Sequence, residues 1–242
     1  MKQTLIAFIR SLKKALVENY KNYNQKLPYI IVVIVALIIV VTSINLFIEL
    51  TDTLKTDILA NFDKQITDYV ISLRSPALTN YFVFITNIGD LYGYLAVLTL
   101  YCLISWFVFK RWKYVLQTTL VLILATTSNM ILKRFINRAR PGIEHLVSVE
   151  TLSYPSGHAM SAMAFYGFLI YLCTKFRINK FLKIGIILIL AFIILSIGIS
   201  RIYLGVHFPS DIAGGYIAGL IWVIFCILIL NLIEIFKRDA DT

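Results

Sequence analysis

Charge is scarce in this 242-residue sequence, because Asp, Glu, Lys and Arg together make up 15% of it, against about 25% in an average soluble domain. Cysteine is scarce as well. The three cysteines, Cys102, Cys173 and Cys226, lie inside apolar runs and lack the spacing of disulfide or metal-ligand pairs. These absences exclude a solvated globular domain and a disulfide-stabilised or zinc-bound fold. What the sequence has instead is 59% hydrophobic residues and a mean hydropathy of +0.81, which indicates an integral membrane protein.

Six apolar runs are long enough to cross a bilayer, whose hydrocarbon core of about 30 Å needs about 20 helical residues. They are residues 27–48, 91–109, 114–132, 158–174, 184–200 and 212–236. Because a backbone in lipid must satisfy its own hydrogen bonds, each unbroken run is predicted to be a helix. The predicted fold is therefore all-α, a polytopic bundle of six transmembrane helices in one membrane domain, residues 27–242.

The residues before the first run, 1–26, are predicted to form a separate segment. Leucine and phenylalanine recur in it at helical spacing between basic residues, at Leu5, Phe8, Leu12 and Leu16. This pattern is typical of an amphipathic helix on the membrane surface, and a disordered basic tail is the alternative. The first run is too long for a signal-peptide core and is not followed by a small-residue cleavage site, so we expect it to be retained.

Lys and Arg are distributed unequally between the two sides of the predicted bundle. Fifteen lie on one side, in residues 1–26, 110–113, 175–183 and 237–242, and eight lie on the other, in residues 49–90, 133–157 and 201–211. The side richer in Lys and Arg is normally cytoplasmic, so both termini are expected inside the cell. Basic flanks that attract membrane lipids account for most of the net charge of +10, and no nucleic-acid partner is needed to explain it.

A second amphipathic pattern falls on the predicted outer side, just before Pro76. Its apolar residues recur at helical spacing, at Ile58, Phe62, Ile66, Val70 and Leu73. The pattern predicts a short helix that lies over the outer face.

Polar residues on the predicted outer side cluster in three groups. Lys133–Pro141 reads KRFINRARP, Pro155–His158 reads PSGH, and Ser200–Asp211 reads SRIYLGVHFPSD. Each group lies where an apolar run meets the same side of the membrane, so the three can meet in one pocket of a helical bundle. The first group holds four cations, against the usual preference for positive charge inside. We infer that these cations serve something outside.

The PSGH group is suited to anion binding. Pro155 fits the first turn of a helix, because the N–H it lacks would be unpaired there, and the free N–H groups at a helix start bind anions. Ser156 adds a hydroxyl donor, and Gly157 lets a ligand approach the backbone. Charged donors come from the other two groups, at Lys133, Arg140 and Arg201. Arginine has the planar fork that matches phosphate oxygens, so we predict a site for phosphate or for an anion like it.

His207 and Asp211 are four residues apart, so their side chains can meet in a helical turn. A carboxylate bonded to one ring nitrogen fixes the tautomer and leaves the other nitrogen basic, as in catalytic triads. A histidine prepared in this way can attack phosphorus. His158, at the mouth of an apolar run, can then protonate the leaving oxygen.

The chain matches three short patterns, K-x6-RP at Lys133–Pro141, PSGH at Pro155–His158 and SR-x5-H-x3-D at Ser200–Asp211. In this order and on one side of six apolar runs, they resemble the signatures of the type-2 phosphatidic-acid phosphatase superfamily. The chain is similar to the bacterial integral membrane members, the lipid phosphate phosphatases. The resemblance covers roughly residues 55–235 and leaves residues 1–26 outside it.

The resemblance implies a role for each matched residue. His207 would be the nucleophile that becomes phosphohistidine, Asp211 the acid that orients it, and His158 the general acid. The implied phosphate-binding residues are Lys133, Arg140, Ser156, Gly157 and Arg201. The family works without a metal, so no metal and no other cofactor is expected.

Other polar and small residues are interpreted as structural. Arg134 and Arg138 occupy no signature position, and we interpret both as interfacial anchors or headgroup contacts. Asn129 is expected to bond a neighbouring helix. Three glycines in the last run are expected to allow close helix packing, at Gly214, Gly215 and Gly219.

The sequence thus predicts a cell-membrane phosphatase that acts on a lipid phosphate at the outer face. Phosphatidylglycerophosphate, phosphatidate and undecaprenyl pyrophosphate are all compatible substrates. One alternative is a phosphotransferase of the same superfamily, in which an acceptor other than water takes the phosphate. Another is an anion-binding transporter, for which His207 would be dispensable. No pattern in the sequence specifies an oligomeric state.

Overall fold

The structure is a computed structural model that describes residues 27–109, 112–149, 152–176 and 178–240. All regular secondary structure in these ranges is helical, which confirms the predicted all-α class. The helices are α1 (Leu27–Thr53), α2 (Asp57–Ser72), α3 (Pro76–Ile88), α4 (Leu91–Ile104), α5 (Trp112–Ile136), α6 (Gly157–Lys175), α7 (Lys180–Tyr203) and α8 (Pro209–Ala240). A π-helical segment, Ser105–Phe109, continues α4. The amphipathic helix predicted within residues 1–26 lies outside the described residues.

Four described helices are long and apolar enough to cross a membrane, over Ile31–Thr53, Trp112–Ile136, Lys180–Tyr203 and Pro209–Ile233. A fifth crossing is present if Pro76–Ile88 and Leu91–Phe107, which meet at a 63° bend, count as one broken span. These five fall on five of the six predicted runs. The remaining run, 158–174, forms α6 but is not among the spans defined by length and composition.

The chain divides into two compact units, residues 1–41 and 42–242, and every contact described below lies within the second. The core of this second unit lies around α6, which packs against α5, α7 and α8. Its buried residues point in all directions and are mostly small or aromatic, among them Ala159, Ala162, Phe165, Tyr166 and Phe168. A helix that is buried on all sides needs no polar face, so neighbouring helices fix its position.

The glycines of α8 allow it to pack tightly on α6, as predicted. A Cβ added to Gly215 would lie 2.7 Å from the carbonyl oxygen of Ser156, and one added to Gly219 would lie 2.6 Å from that of Met160. Only glycine leaves room for two backbones at this distance. The start of α6 and the start of α8 are therefore held side by side.

The short helix predicted before Pro76 is α2, and its burial is unusual. Its fully buried side chains are polar, at Asp63 and Thr67, whereas Ile58 and Tyr69 are 84% and 67% exposed. The predicted apolar stripe of this helix therefore contacts the protein only in part, and Val70 is the stripe residue that packs on the buried core. Instead, α2 packs on α7 and α8 and presents the carboxylate of Asp63 to the start of α8.

Candidate active site

Six of the eight site residues predicted from the sequence line one cavity of about 350 Å³. They come from α5, the loop after it, the start of α6, the end of α7 and the turn before α8, and they are Lys133, Arg140, Gly157, His158, Arg201 and His207. The other two, Ser156 and Asp211, are fully buried and do not line it. The fold thus brings together three groups that are far apart in the sequence.

Two backbone turns direct the chain into this cavity. Helix α5 ends at Ile136, and Asn137 then adopts a φ of 51°, the left-handed conformation that often ends a helix. After α7, Gly205 has a φ of +80°, and a Cβ there would lie 2.6 Å from the carbonyl oxygen of Glu144. Both the conformation and the space require glycine at this position. Arg140 and His207 follow these two turns.

His207 is 1% exposed and lies between a carboxylate and a guanidinium. Its Nδ1 is 3.3 Å from Oδ2 of Asp211, and its Nε2 is 3.2 Å from Nη1 of Arg140. Arginine can only donate hydrogen bonds, so Nε2 must carry the lone pair and Nδ1 the proton. The tautomer expected of a nucleophilic histidine is therefore the one that its partners select.

Burial lowers the pKa of His207 to about 3, although the carboxylate of Asp211 acts in the opposite direction. The ring is therefore neutral at physiological pH, and Nε2 remains available as a nucleophile. Two further donors hold the carboxylate of Asp211. The Phe208 N–H donates to its Oδ2 at 2.8 Å, and the hydroxyl of Ser153 donates to the same oxygen. Ser153 carries no sequence signature and was not predicted.

Hydrogen bonds fix both arginines of the cavity, Arg140 and Arg201, in place. Arg140 donates to the carbonyl oxygen of Val206 at 2.6 Å, beside His207. Arg201 donates from Nη1 to the hydroxyl of Thr86 at 2.7 Å, whereas its buried Nε has no hydrogen-bond partner within the described ranges. Thr86 also lines the cavity. The sequence did not predict that Thr86 holds Arg201, because Thr86 is on α3 and meets Arg201 of α7 only in the folded bundle.

Helix α6 begins at the cavity, with Ser156 as its N-cap. The Ser156 hydroxyl accepts a hydrogen bond from the Ala159 N–H at 3.5 Å, and its own N–H donates to the carbonyl oxygen of Asp211 at 3.0 Å. Its observed contacts are therefore within the protein, although the sequence predicted a phosphate donor. Gly157 is packed against Asn129, whose Oδ1 would lie 2.9 Å from an added Cβ. Asn129 also donates to the Pro155 carbonyl oxygen at 3.0 Å and to Sδ of Met160 on α6 at 3.5 Å, and the second contact confirms the expected bond to a neighbouring helix.

His158 has a partner that the sequence did not predict. Its Nε2 lies 2.9 Å from Oδ1 of Asp90, which is the N-cap residue of α4. N-cap carboxylates usually accept a bond from the helix backbone, but Asp90 makes no such bond. Asp90 lies at the 63° bend between α3 and α4, and this bend brings it to the start of α6.

The interpretation of Arg138 as an interfacial anchor is wrong. Its side chain is only 15% exposed and bridges two fully buried carboxylates. Nη1 donates to Oδ1 of Asp211 at 2.6 Å and to the Ser210 hydroxyl at 2.7 Å, and Nη2 donates to Oδ2 of Asp63 at 2.8 Å. A sequence pattern alone could not identify this, because the Asp63 partner lies 75 residues away.

A second cavity, of about 460 Å³, adjoins the first. We call it the apolar groove. It lies between α4, α5 and α6, and its lining is mostly apolar, including Leu91, Leu95, Leu98, Leu122 and Ile123. Three residues line both cavities, namely Asp90, Gly157 and His158. A polar, cationic cavity and an apolar groove therefore meet at one histidine.

Comparison with known proteins agrees with this geometry. The family model described as the PAP2 superfamily matches residues 113–234, the part of the chain that holds all three motif groups. Phosphatidylglycerophosphatase B of Bacillus subtilis (strain 168) is 31% identical over 179 residues, which are 72% of this chain and 86% of that protein. Bacitracin transport permease protein BcrC of Bacillus licheniformis is 38% identical over 87 residues, 35% of this chain and 37% of that protein.

Two solved structures resemble the fold as well. One is the first transmembrane PAP2 type phosphatidylglycerolphosphate phosphatase from Bacillus subtilis, with a TM-score of 0.71 and 30% identity over 77% of this chain and 93% of the other. The second is Aquifex aeolicus LpxE, with a TM-score of 0.55 and 26% identity over 67% of this chain and 93% of the other.

Proposed function

The chain belongs to the PAP2 superfamily, and from this premise we propose that it hydrolyses a lipid phosphate or pyrophosphate through a phosphohistidine on His207. Membership indicates a membrane lipid phosphatase. The observation that carries the specific proposal is that the cationic cavity and the apolar groove meet at His158. A headgroup phosphate fits the first, and a hydrocarbon chain of the same molecule fits the second.

The first half of the reaction transfers the phosphoryl group to the enzyme. Nε2 of His207 attacks phosphorus while Asp211 holds the Nδ1 proton, and an N–P bond forms. The bond between phosphorus and the leaving oxygen breaks, and His158 gives that oxygen its proton. The products of this step are phosphohistidine and the dephosphorylated lipid. The carboxylate of Asp90 lies 2.9 Å from His158.

The second half regenerates the enzyme. Water attacks phosphorus, neutral His158 accepts a proton from it, and the N–P bond breaks to release inorganic phosphate and His207. In both steps negative charge develops on the phosphoryl oxygens, which the cations Lys133, Arg140 and Arg201 and the N-terminus of α6 stabilise. No metal or other cofactor takes part in this scheme. A phosphotransferase would differ only in this second step, because an acceptor molecule would take the place of water and free phosphate would not accumulate.

The relatives' names favour phosphatidylglycerophosphate as the substrate, because a curated relative and a solved structure, both from Bacillus subtilis, carry it in their names. Phosphatidate and undecaprenyl pyrophosphate have the same combination of a phosphate group and a long chain, and both are therefore included in the test.

The proposed function is tested by measuring the phosphate that purified protein releases from each of these three lipids. Phosphate release from one or more of them, together with a labelled phosphoenzyme in the parent and none in His207→Ala, is the expected result. Turnover by His207→Ala within a few-fold of the parent would contradict the covalent step.

The groove has its own test. Thr126 lines it, so Thr126→Trp should fill it and lower kcat/KM for long-chain substrates while short-chain phosphates react as before. Ile189 is 61% exposed on α7 and lines neither cavity, so Ile189→Trp is the matched control. An equal loss on long and short chains would separate the groove from substrate binding.

We also propose that the chain crosses the membrane six times, with α6 as the crossing that its composition leaves undecided. Its 19 residues span about 28 Å, close to the thickness of the hydrocarbon core. Since other helices surround it, α6 does not need a lipid-facing apolar surface. An even number of crossings would put both termini on the same side of the membrane. The distribution of Lys and Arg favours the cytoplasm for the termini and the outer face for the cavity.

A further inference from the structure

Asp63 is a fully buried carboxylate on α2, far from the three motif groups in sequence. Its Oδ1 accepts a hydrogen bond from the Ser210 N–H at 2.9 Å, and its Oδ2 accepts from the Ser210 hydroxyl at 2.5 Å and from Arg138 Nη2 at 2.8 Å. An ionised carboxylate is stable in a buried site only with such partners. Two of these bonds come from Ser210, which precedes Asp211 in the chain, and the third comes from Arg138, which also binds Asp211. All three therefore connect Asp63 to the surroundings of Asp211.

The bond from the Ser210 N–H makes Asp63 a cap supplied from another helix. Ser210 lies in the first turn of α8, where backbone N–H groups lack partners within the helix. Asp63 satisfies one of them and adds negative charge at the positive end of the helix dipole. The turn that carries Asp211 is thereby fixed from the side of α2.

Arg138 links the two carboxylates directly. One of its nitrogens binds Asp211 and another binds Asp63, so a single positive charge lies between two negative ones. With His207 neutral, the group formed by Asp63, Arg138, Asp211 and His207 has a net charge of about −1. One carboxylate, that of Asp211, would be enough to neutralise Arg138, so the carboxylate of Asp63 adds a negative charge that the ion pair itself does not require.

That remaining charge matches what the reaction requires. When Nε2 of His207 bonds to phosphorus and Nδ1 keeps its proton, the ring becomes a phosphoimidazolium with a positive charge. Without Asp63, Arg138 would neutralise Asp211 just as the ring becomes positive. With Asp63 present, one negative charge remains for the ring, in a buried setting where such interactions are strong.

We propose that Asp63 is a positioning residue for the reaction. Through Arg138 and the first turn of α8 it holds Asp211 against His207, and it leaves one negative charge for the phosphorylated ring. The inference rests on the proposed function, because it concerns the charge that His207 gains there. It assigns α2 a part in catalysis, although α2 contributes no residue to either cavity.

The test compares Asp63→Asn with Asp68→Asn, which removes an exposed carboxylate from the same helix. Asp63→Asn should lower kcat about tenfold or more, as expected for a coupled contact, with little change in KM. Phosphoenzyme formation in a single turnover should slow by the same factor. Asp68→Asn should behave as the parent.

A double-mutant cycle with Asp211→Asn distinguishes this role from a structural one. If Asp63 acts through Asp211, then Asp63→Asn should cost no more than about twofold in the Asp211→Asn background. The same loss in both backgrounds would show that Asp63 only supports the fold and would overturn the proposal. Arg138→Lys serves if Asp63→Asn is not recovered from membranes, since one ammonium cannot bridge both carboxylates and a similar fall in kcat is expected. Unchanged kcat in Arg138→Lys would then overturn the proposal.

The outcome also separates this inference from the proposed function. A parent that releases phosphate from no lipid phosphate overturns both. An active parent in which Asp63→Asn keeps kcat within twofold overturns the inference alone.

Discussion

Nε2 of His158 lies 2.9 Å from Oδ1 of Asp90, at the point where the cationic cavity and the apolar groove meet. The carboxylate makes no bond to the backbone of α4, the helix that Asp90 begins. Its contact with the histidine is a close approach of the two side chains whose angles are not those of a hydrogen bond. An acid in this position is needed only when the leaving oxygen is a poor leaving group. The pairing therefore predicts a dependence on the substrate's leaving group.

His158→Ala should lower kcat/KM by about 10²–10⁴ for a lipid alkoxide, the usual contribution of general acid catalysis. For an aryl phosphate, whose leaving oxygen needs no proton, the loss should be much smaller. Asp90→Asn should give the same pattern with smaller losses, because the ring stays but loses its partner. Asp52→Asn, an exposed carboxylate at the end of α1, is the control. Equal losses on both substrates would assign His158 to phosphate binding instead.

The low pKa of His207 predicts how stability changes with pH. The ring has a pKa of about 3 when folded and 6.5 when unfolded, so the unfolded chain binds more protons between these values. Stability from this group is complete above pH 6.5 and falls as the pH drops toward 3. From pH 6.5 to 5 the loss is about 2 kcal/mol. Thermal melting in detergent should show the parent losing more stability over this interval than His207→Gln. A parallel response of the two proteins would indicate an exposed, ordinary ring.

Activity should survive a divalent-metal chelator, because the proposed mechanism assigns the stabilisation of the phosphoryl group to Lys133, Arg140 and Arg201, which line the cavity. Phosphate release should therefore be the same with and without excess EDTA. Orthovanadate should inhibit, because its five-coordinate form resembles phosphorus between His207 and the leaving oxygen. Loss of activity in EDTA that Mg²⁺ restores would contradict this prediction.

The sidedness of the cavity can be tested with one cysteine in the loop after α5, at residue 142, and another at the start of α7, at residue 180. A Cβ on Gly142 would meet no atom within 4 Å, and Lys180 is exposed. In intact cells Gly142→Cys should react with an impermeant thiol reagent, whereas Lys180→Cys should react only after the membrane is opened. The parent, with its three cysteines in apolar runs, is the control. The reverse pattern would place the cavity in the cytoplasm.

Sequence patterns predicted those parts of the site that lie at fixed spacing within one segment. The His207–Asp211 pair follows from helical spacing, and the cationic cavity follows from three groups on one side of the apolar runs. Ser156 shows the limit of this reasoning. A serine before a helix can either donate to a ligand or cap the helix. In the structure the hydroxyl of Ser156 caps α6 by accepting a hydrogen bond from the Ala159 N–H.

The unpredicted residues all depend on packing between distant segments. Arg138 was assigned to the membrane surface because an arginine near an apolar run usually lies there, and only the fold of α2 against α8 provides Asp63 as its partner. Asp90 reaches His158 because α3 and α4 meet at a 63° bend, which no local pattern encodes. Packing also explains why the number of crossings differs between the sequence and the structure. Helix α6 is surrounded by other helices, and the composition of such a helix does not distinguish a membrane span from a core helix.

The meeting of the two cavities at His158 has a consequence for the two products. In the proposed reaction the dephosphorylated lipid would leave along the apolar groove into the bilayer after the first step, and inorganic phosphate would leave through the cationic cavity into water after the second. Each product would then inhibit according to its abundance in its own phase. Inhibition by phosphate should follow its molar concentration in solution, and inhibition by the lipid product should follow its mole fraction in the membrane, independently of the volume of water around it.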